Sequence, residues 1–583
     1  MKTLGITFLC ITGIGLIFIN FRSSSFTQIA SGEKLVATFN PNIGLSMCGR
    51  GGATFNFDLT GDGSLPVAPK LKGLGEQHFE ITTESAEAQE FFNQGMRLVY
   101  GFNHAEALRS FQEAARLDPD CAMAYWGQAL AVGPNINDPF PDMERQKQAF
   151  ESINKAAALT GKITEMEKAL INAYKARCTD QEIEQQNLNI AYFQEMQKVY
   201  ESYPDHPETG ILYAASIMNT MPWDYYDGEK NPRENTDACV AALRKVIEKY
   251  PKHPGGHHYF IHIIEAKDPN QAIPSADVLD DLAPAAGHLI HMPSHIYIGV
   301  GMYAEAADNN RRAILADENY IAQCQAQGVY PLAYYPHNLH FLWAAASMLG
   351  RSEEAINAAE KVADKVPVSM ALDIPFIQDF MAVPLQAYTR FGKWNEILTT
   401  PDPGATYLHT SMMWHYARGM AFTRKGDVEK AKDELQQVKK YAADPAAETL
   451  LAAYNNPTSN VGKIAIEALA GEIAASEGKT DEALEHLSAA VKHEDALIYQ
   501  EPAAWHAPTR QYLGALLLEN GKAAEAEKIY RKDLEINRDN GWSLFGLSQS
   551  LAAQGKSIEA QQTREAFQRA WSLADVALAA SRF

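Results

Sequence analysis

Basic residues are in short supply in this chain: 51 lysines and arginines stand against 72 acidic residues, a formal charge of −21 over 583 positions. A phosphate backbone is repelled by such a surface and no basic stripe interrupts it, which excludes nucleic acid as a partner. Small molecules, cations and basic segments of other proteins remain. Cysteine is also scarce. The six residues Cys10, Cys48, Cys121, Cys178, Cys239 and Cys324 are scattered and form no CxxC pair, so the chain is not a disulfide scaffold, although an oxidising compartment would allow one or two bridges. No P-loop, GxSxG or dinucleotide fingerprint occurs, and a nucleotide cofactor is therefore not expected. Disorder of the whole chain is excluded by a composition that is 46% hydrophobic and 21% charged.

Long apolar runs are missing as well, with one exception. Leu4 to Phe21 follows Met1-Lys2-Thr3 and is about long enough to span a bilayer. Small residues at Ile29-Ala30-Ser31 suit a processing site, so residues 1–31 read equally as a cleaved signal peptide or an uncleaved anchor. Thr7-Phe8-Leu9 puts no small residue before Cys10, which argues against a lipoprotein signal. The expectation is an exported protein, periplasmic or anchored facing the periplasm, that meets the membrane only through this segment.

Residues 32–83 read as a linker or small N-terminal segment. Alternating Leu35-Val36-Ala37-Thr38-Phe39 and Ala53-Thr54-Phe55-Asn56-Phe57 suit two short strands. Asp58 and Asp62 lack the full ligand pattern of a calcium loop, and Cys48-Gly49-Arg50 is too short to interpret. From about residue 84 helical periodicity is nearly unbroken. In FFNQGMRLVYGFNHAEALRSFQEAARL, residues 91–117, two apolar-periodic stretches meet at Gly101, and Asp118-Pro119 ends the second. The same grammar returns at Gly301, Gly350, Gly426, Gly478, Gly521 and Gly555, each followed by an alanine at a fixed offset. Glycine suits the left-handed residue that commonly closes a helix, and the alanine lets paired helices approach. This is the tetratricopeptide pattern, a unit of about 34 residues.

The pattern implies an all-α, right-handed superhelical solenoid of helical hairpins after a short irregular or small β segment. Its divisions would be N-terminal repeats at 84–250, histidine-rich repeats at 251–367 and C-terminal repeats at 368–583. The wording GFNHAEALRSFQEAARLDPDCAMAYWG at 101–127, HPGGHHYFIHIIEA at 253–266 and GHLIHMPSHIYIGVGMY at 287–303 resembles a family of exported bacterial tetratricopeptide proteins. That resemblance implies fold and compartment rather than chemistry.

Histidine supplies the chemical signal. Eight of the seventeen lie between His257 and His340, where an even spread would put fewer than three. His258 and His291 are 33 apart, as are His262 and His295, while His288 and His337 are 49 apart, like the turns Gly301 and Gly350. An insertion from Tyr320 to Pro336 accounts for the longer step. His258, His291 and His340 thus share one repeat position, His262 and His295 a second, and His288 and His337 a third. Within a helix, His258, His262 and Glu265 lie on one face, as do His288, His291 and His295, and His337 with His340. First helices line the concave groove of tetratricopeptide arrays, which would place the cluster there.

Imidazole is the usual side-chain ligand of zinc, copper and iron, and seven of them with Glu265 suffice for one or two transition-metal ions. Affinity for such an ion should fall below about pH 6, where free imidazole takes up a proton. Two alternatives stay open: structural histidines copied with the repeat, or a metal-free polar pocket for an anionic ligand or an acid–base reaction. His257 points off the shared face, His104 and His253 read as cap or turn residues, and His409, His415 and His506 read as structural. The helix His258-Tyr259-Phe260-Ile261-His262 has no HExxH glutamate, so no catalytic residue is assigned. Aromatic residues crowd the same region, with Tyr259, Tyr334 and Tyr335 near the histidines and Met221-Pro222-Trp223-Asp224-Tyr225-Tyr226 as a lid or core plug. Asp224 is a candidate to fix a histidine tautomer. The competing function is an interaction scaffold whose groove holds a peptide or partner protein.

Overall fold

The computed structural model describes residues 66–324 and 330–583 together with three short strands, Ser25–Ala30, Glu33–Phe39 and Phe55–Phe57, which pair in sequence order as an antiparallel sheet. The apolar leader, Cys10, Cys48, Asp58, Asp62 and the middle of the Tyr320–Pro336 insertion lie outside the described residues. Among the described residues no helix is long and apolar enough to cross a membrane. Cys121, Cys178 and Cys239 are free thiols.

From Ala86 to Ala570 the chain is a succession of helical hairpins, an all-α solenoid. Local chemistry starts and stops the helices. Ser85 accepts from the Ala88 amide at the head of Ala86–Tyr100, and Thr164 and Glu167 form a reciprocal cap on Glu165–Lys175. Each helix packs on its predecessor and its successor, and the first helices of successive hairpins also touch. Tetratricopeptide-type stacking of this kind buries each hairpin's apolar stripe on its neighbours.

Six of the seven expected turn glycines adopt left-handed backbone, with φ from +69° at Gly350 to +86° at Gly301. Gly101 departs from the expectation. It has φ −92°, and the left-handed residue is Phe102 at φ 54°. That shift turns the Phe102 ring into the interior, where it is 2% exposed.

The solenoid curls until its C-terminal hairpins meet its centre. Arg538 donates to the Asn270 side chain at 2.8 Å, and the Trp542 indole donates to the Ser347 carbonyl at 2.9 Å. The Asp575 carboxylate accepts from the Ser352 and Glu353 amides, capping Ser352–Lys365 from more than 200 residues away. C-terminal residues thereby cover part of the central hairpins.

Candidate metal centre

Three consecutive first helices carry the histidines: Pro254–Ile264, the pair Gly287–His291 and Pro293–Val300, and Tyr335–Met348. A proline begins the first helix and the second member of the pair, and another follows Tyr335; each stands in the first turn, where a missing N–H is harmless. Gly287 is required by a close approach, because a Cβ there would sit 1.8 Å from Asp317 Oδ1. Asp317 is itself held by Tyr330 and Asn338 at 2.8 and 2.7 Å, and burial pushes its carboxyl up to about 7.

Sequence pattern alone puts the histidines on an open groove; the structure buries them. None of the seven, nor Glu265, is more than 4% exposed. Six of the rings form two compact triads, His258–His262–His288 and His291–His295–His337, in each of which one ligand atom per residue lies within 4.8 Å of the others. The triads are near copies. Ring centroids of His258 are 4.8 Å from His262 and 4.9 Å from His288; those of His291 are 4.8 Å from His295 and 4.9 Å from His337. The third sides are 6.3 and 5.9 Å. Phe102 packs against all three rings of the first triad at 4.4–5.9 Å. Phe341 does the same for the second at 4.5–4.8 Å. The triads adjoin through His262 and His295 and through His288 and His291, both at 5.8 Å.

Hydrogen bonds on the outer nitrogens set the tautomers. His258 Nδ1 donates to the Tyr100 carbonyl at 2.6 Å. His291 Nδ1 is 2.8 Å from Asn310 Oδ1, and the Asn310 amide is oriented by its own donation to the Ala306 carbonyl at 2.7 Å. His295 Nδ1 lies 2.8 Å from Glu501 and 3.1 Å from Glu265. His262 Nδ1 is 3.4 Å from the other Glu265 oxygen. A proton held on Nδ1 leaves Nε2 as a lone pair, which is the usual arrangement of a metal-bound imidazole. The Nε2 atoms of His258 and His262, and both ring nitrogens of His288, are buried without a hydrogen-bond partner. Burial, and then the neighbouring imidazoles, hold His258, His262, His288, His291 and His337 in the neutral form well below the usual histidine range. Proton competition for them is thus displaced below the free-imidazole value that the sequence alone suggests. Burial raises the Glu265 and Glu501 carboxyls, partly offset by His295.

The remaining sequence candidates fall in different places. His340 stands outside both triads, stacked on Trp343 at 5.2 Å and edge-on to Phe380 at 5.4 Å. Tyr259 packs on Phe102 and His258 beside the first triad. Tyr334 meets His288 at 4.8 Å while its hydroxyl accepts from Asn137. The Tyr335 hydroxyl instead donates to Glu318 at 2.8 Å. Asp224 pairs with Arg233 at 2.9 Å, while its neighbour Trp223 supplies the lid contact, edge-on to His262 at 5.0 Å with its indole donating to the Ile136 carbonyl. His257 is satisfied by Ser275 and the Pro251 carbonyl, off the shared face as its position required. His409 bonds Thr458 and His415 bonds Glu434. Glu501, Asn310, Phe102 and Phe341 are not among the residues that sequence pattern singles out. Glu501 comes from a loop more than 200 residues downstream of His295 and carries no local signal, whereas Phe341 was readable as the neighbour of His340.

Fold and interior together define a tetratricopeptide-type solenoid with a polyhistidine core. No family model matches the chain, and no curated protein matches it in sequence. Among solved structures, the human IFIT1 dimer with m7Gppp-AAAA aligns over 84% of this chain and 91% of its own at 14% identity and TM-score 0.32. The P58(IPK) TPR domain aligns over 81% and 99% at 15% identity and TM-score 0.21. Cut9, in the APC/C Cut9–Hcn1 hetero-tetramer, aligns over 83% and 76% at 12% identity and TM-score 0.31.

Proposed function

We propose that the protein binds transition metal, zinc, copper or iron, in its interior through the two histidine triads. One observation carries the reading: three buried imidazoles converge in each triad, with Nδ1 of His258, His291 and His295 engaged by groups outside the triad. Structural histidines are normally satisfied by hydrogen bonds, and leaving a buried polar atom unpaired costs about 1–3 kcal/mol. Unpaired ring nitrogens also occur at His104, His340 and His506, which join no triad; it is the convergence of such nitrogens at His258, His262 and His288 that favours a ligand. Nitrogen donors suit zinc, copper and iron better than magnesium or calcium, which take oxygen. Metal handling and metal-dependent catalysis both follow from such a centre. We further propose, from the leader alone, that the chain works outside the cytoplasm. Binding of a protein or peptide is a second reading, and it rests on the helical-hairpin fold itself, whose outer surfaces stay free of the histidine core.

Elemental analysis of the full chain, purified without a histidine tag, tests the metal reading. Stoichiometric transition metal that is lost in His258→Ala/His291→Ala is expected. Absence of metal after reconstitution with zinc, copper and iron salts would overturn it.

A further inference from the structure

Resting on that metal reading, we infer that the core holds a pair of ions side by side, one per triad, with open coordination positions that share a small exogenous ligand such as hydroxide.

The pair follows from duplication. His258, His262 and His288 map onto His291, His295 and His337 by the same repeat offsets that relate the hairpins. The ring separations agree to within a few tenths of an ångström on every side, and each triad has its own phenylalanine. A single ion shared by six rings would not need two copies of one geometry. The copying also stops. One repeat further on, the equivalent positions are His340, Ala344 and Asp379, and one repeat earlier Ile211 and Ala215 stand where the helical histidine pair would be. Neither neighbouring repeat can supply three imidazoles, so the count is two.

Within the second triad two nitrogens already meet, and Glu265 links that triad to the first. His291 Nε2 and His295 Nε2 are 2.9 Å apart. Asn310 engages Nδ1 of one ring and Glu265 and Glu501 engage Nδ1 of the other, which leaves the Nε2 pair hydrogen-bonded to each other in the metal-free protein and exchangeable for a shared ion. Glu265 reaches both triads, at His262 and at His295, and with Glu501 offsets part of the charge that two divalent ions bring. Three protein donors leave a zinc-like ion one position short of its usual four; ring centroids of the two triads approach to 5.8 Å, and one small shared ligand takes both remaining positions.

Burial of the triads limits the bridging ligand to small molecules. A cavity of about 210 Å³ is lined by Leu74, Leu98, Gly101, Ala286, Tyr320 and Tyr330 among others, sequence neighbours and contacts of the first triad rather than its histidines. Tyr330 accepts from the His288 amide, and Gly101 and Ala286 precede Phe102 and the Gly287–His291 helix. That volume is below the roughly 300–1,000 Å³ of pockets for drug-sized ligands.

Titration of the metal-free full chain with copper(II), read by elemental analysis and electron paramagnetic resonance, tests the pair. Two coppers per chain with a spin signal far below two equivalents are expected. His258→Ala/His262→Ala and His291→Ala/His295→Ala should each retain one copper with a full single-spin signal, and His340→Ala should retain the coupled pair. Where a double variant does not fold, His262→Gln and His295→Gln replace it. One copper in the wild type that both double variants abolish would overturn the pair while leaving the metal reading intact. Two coppers with a full two-spin signal would overturn the shared ligand, and no copper or zinc in any protein would overturn both.

Discussion

At the scale of single residues, His340 separates packing from ligation. It occupies the same repeat position as His258 and His291, yet its ring is stacked on Trp343 and edge-on to Phe380, and burial pulls it down to about 4 with Asp379 opposing only in part. In the unfolded chain it returns to about 6.5. The unfolded state therefore binds the extra proton first as pH falls. Stability present above pH 6.5 is lost between about 6.5 and 4, by about 3 kcal/mol for this residue. Unfolding of metal-free protein, followed at pH 7 and pH 4, is expected to show that His340→Asn loses about 3 kcal/mol less on acidification than the wild type; equal losses would contradict its assignment as a buried neutral ring. Repeat spacing made the histidine positions legible, because helices copy residues at fixed offsets. Spacing carries no information on which partner lies behind a ring, so it grouped His340 with the ligands, although Ala344 at the matching offset already breaks the third copy.

At the scale of elements, the turns decide where the site forms. Glycine and the following alanine made the hairpins readable from sequence, and six turns take the left-handed backbone that the pattern requires. The seventh shifts that conformation to Phe102, a strained position for a bulky residue, and so brings an aromatic ring onto the first triad. Backbone strain of this kind follows from the packing of neighbouring hairpins, which is why the turn itself was legible and its displacement was not. The short helix Gly287–His291 depends on contact with Asp317. Replacing Gly287 by Ala drives a methyl into an anchored carboxylate, an overpacking that typically costs about 1–3 kcal/mol. Thermal unfolding should record that loss together with weaker metal binding at His288; an unchanged melting temperature would contradict the tight Gly287–Asp317 approach.

At the scale of the whole molecule, curling of the solenoid converts an expected surface groove into a sealed centre. Arg538, Trp542 and Asp575 tie the C-terminal hairpins to the central ones, and the same closure carries Glu501 to His295. Contacts between residues more than 200 positions apart leave no trace in local pattern, so the solenoid was readable while its interior acid was not. Sealing also changes the chemistry: imidazoles that would be wet on a groove are held neutral in the core. The central claim is that these imidazoles are the ligands, and X-ray absorption at the metal edge of zinc-loaded, untagged protein measures it most directly. The account expects nitrogen scatterers at about 2.0–2.1 Å with the outer-shell signature of imidazole. A sulfur shell near about 2.3 Å, or an oxygen shell without imidazole scattering, would contradict it.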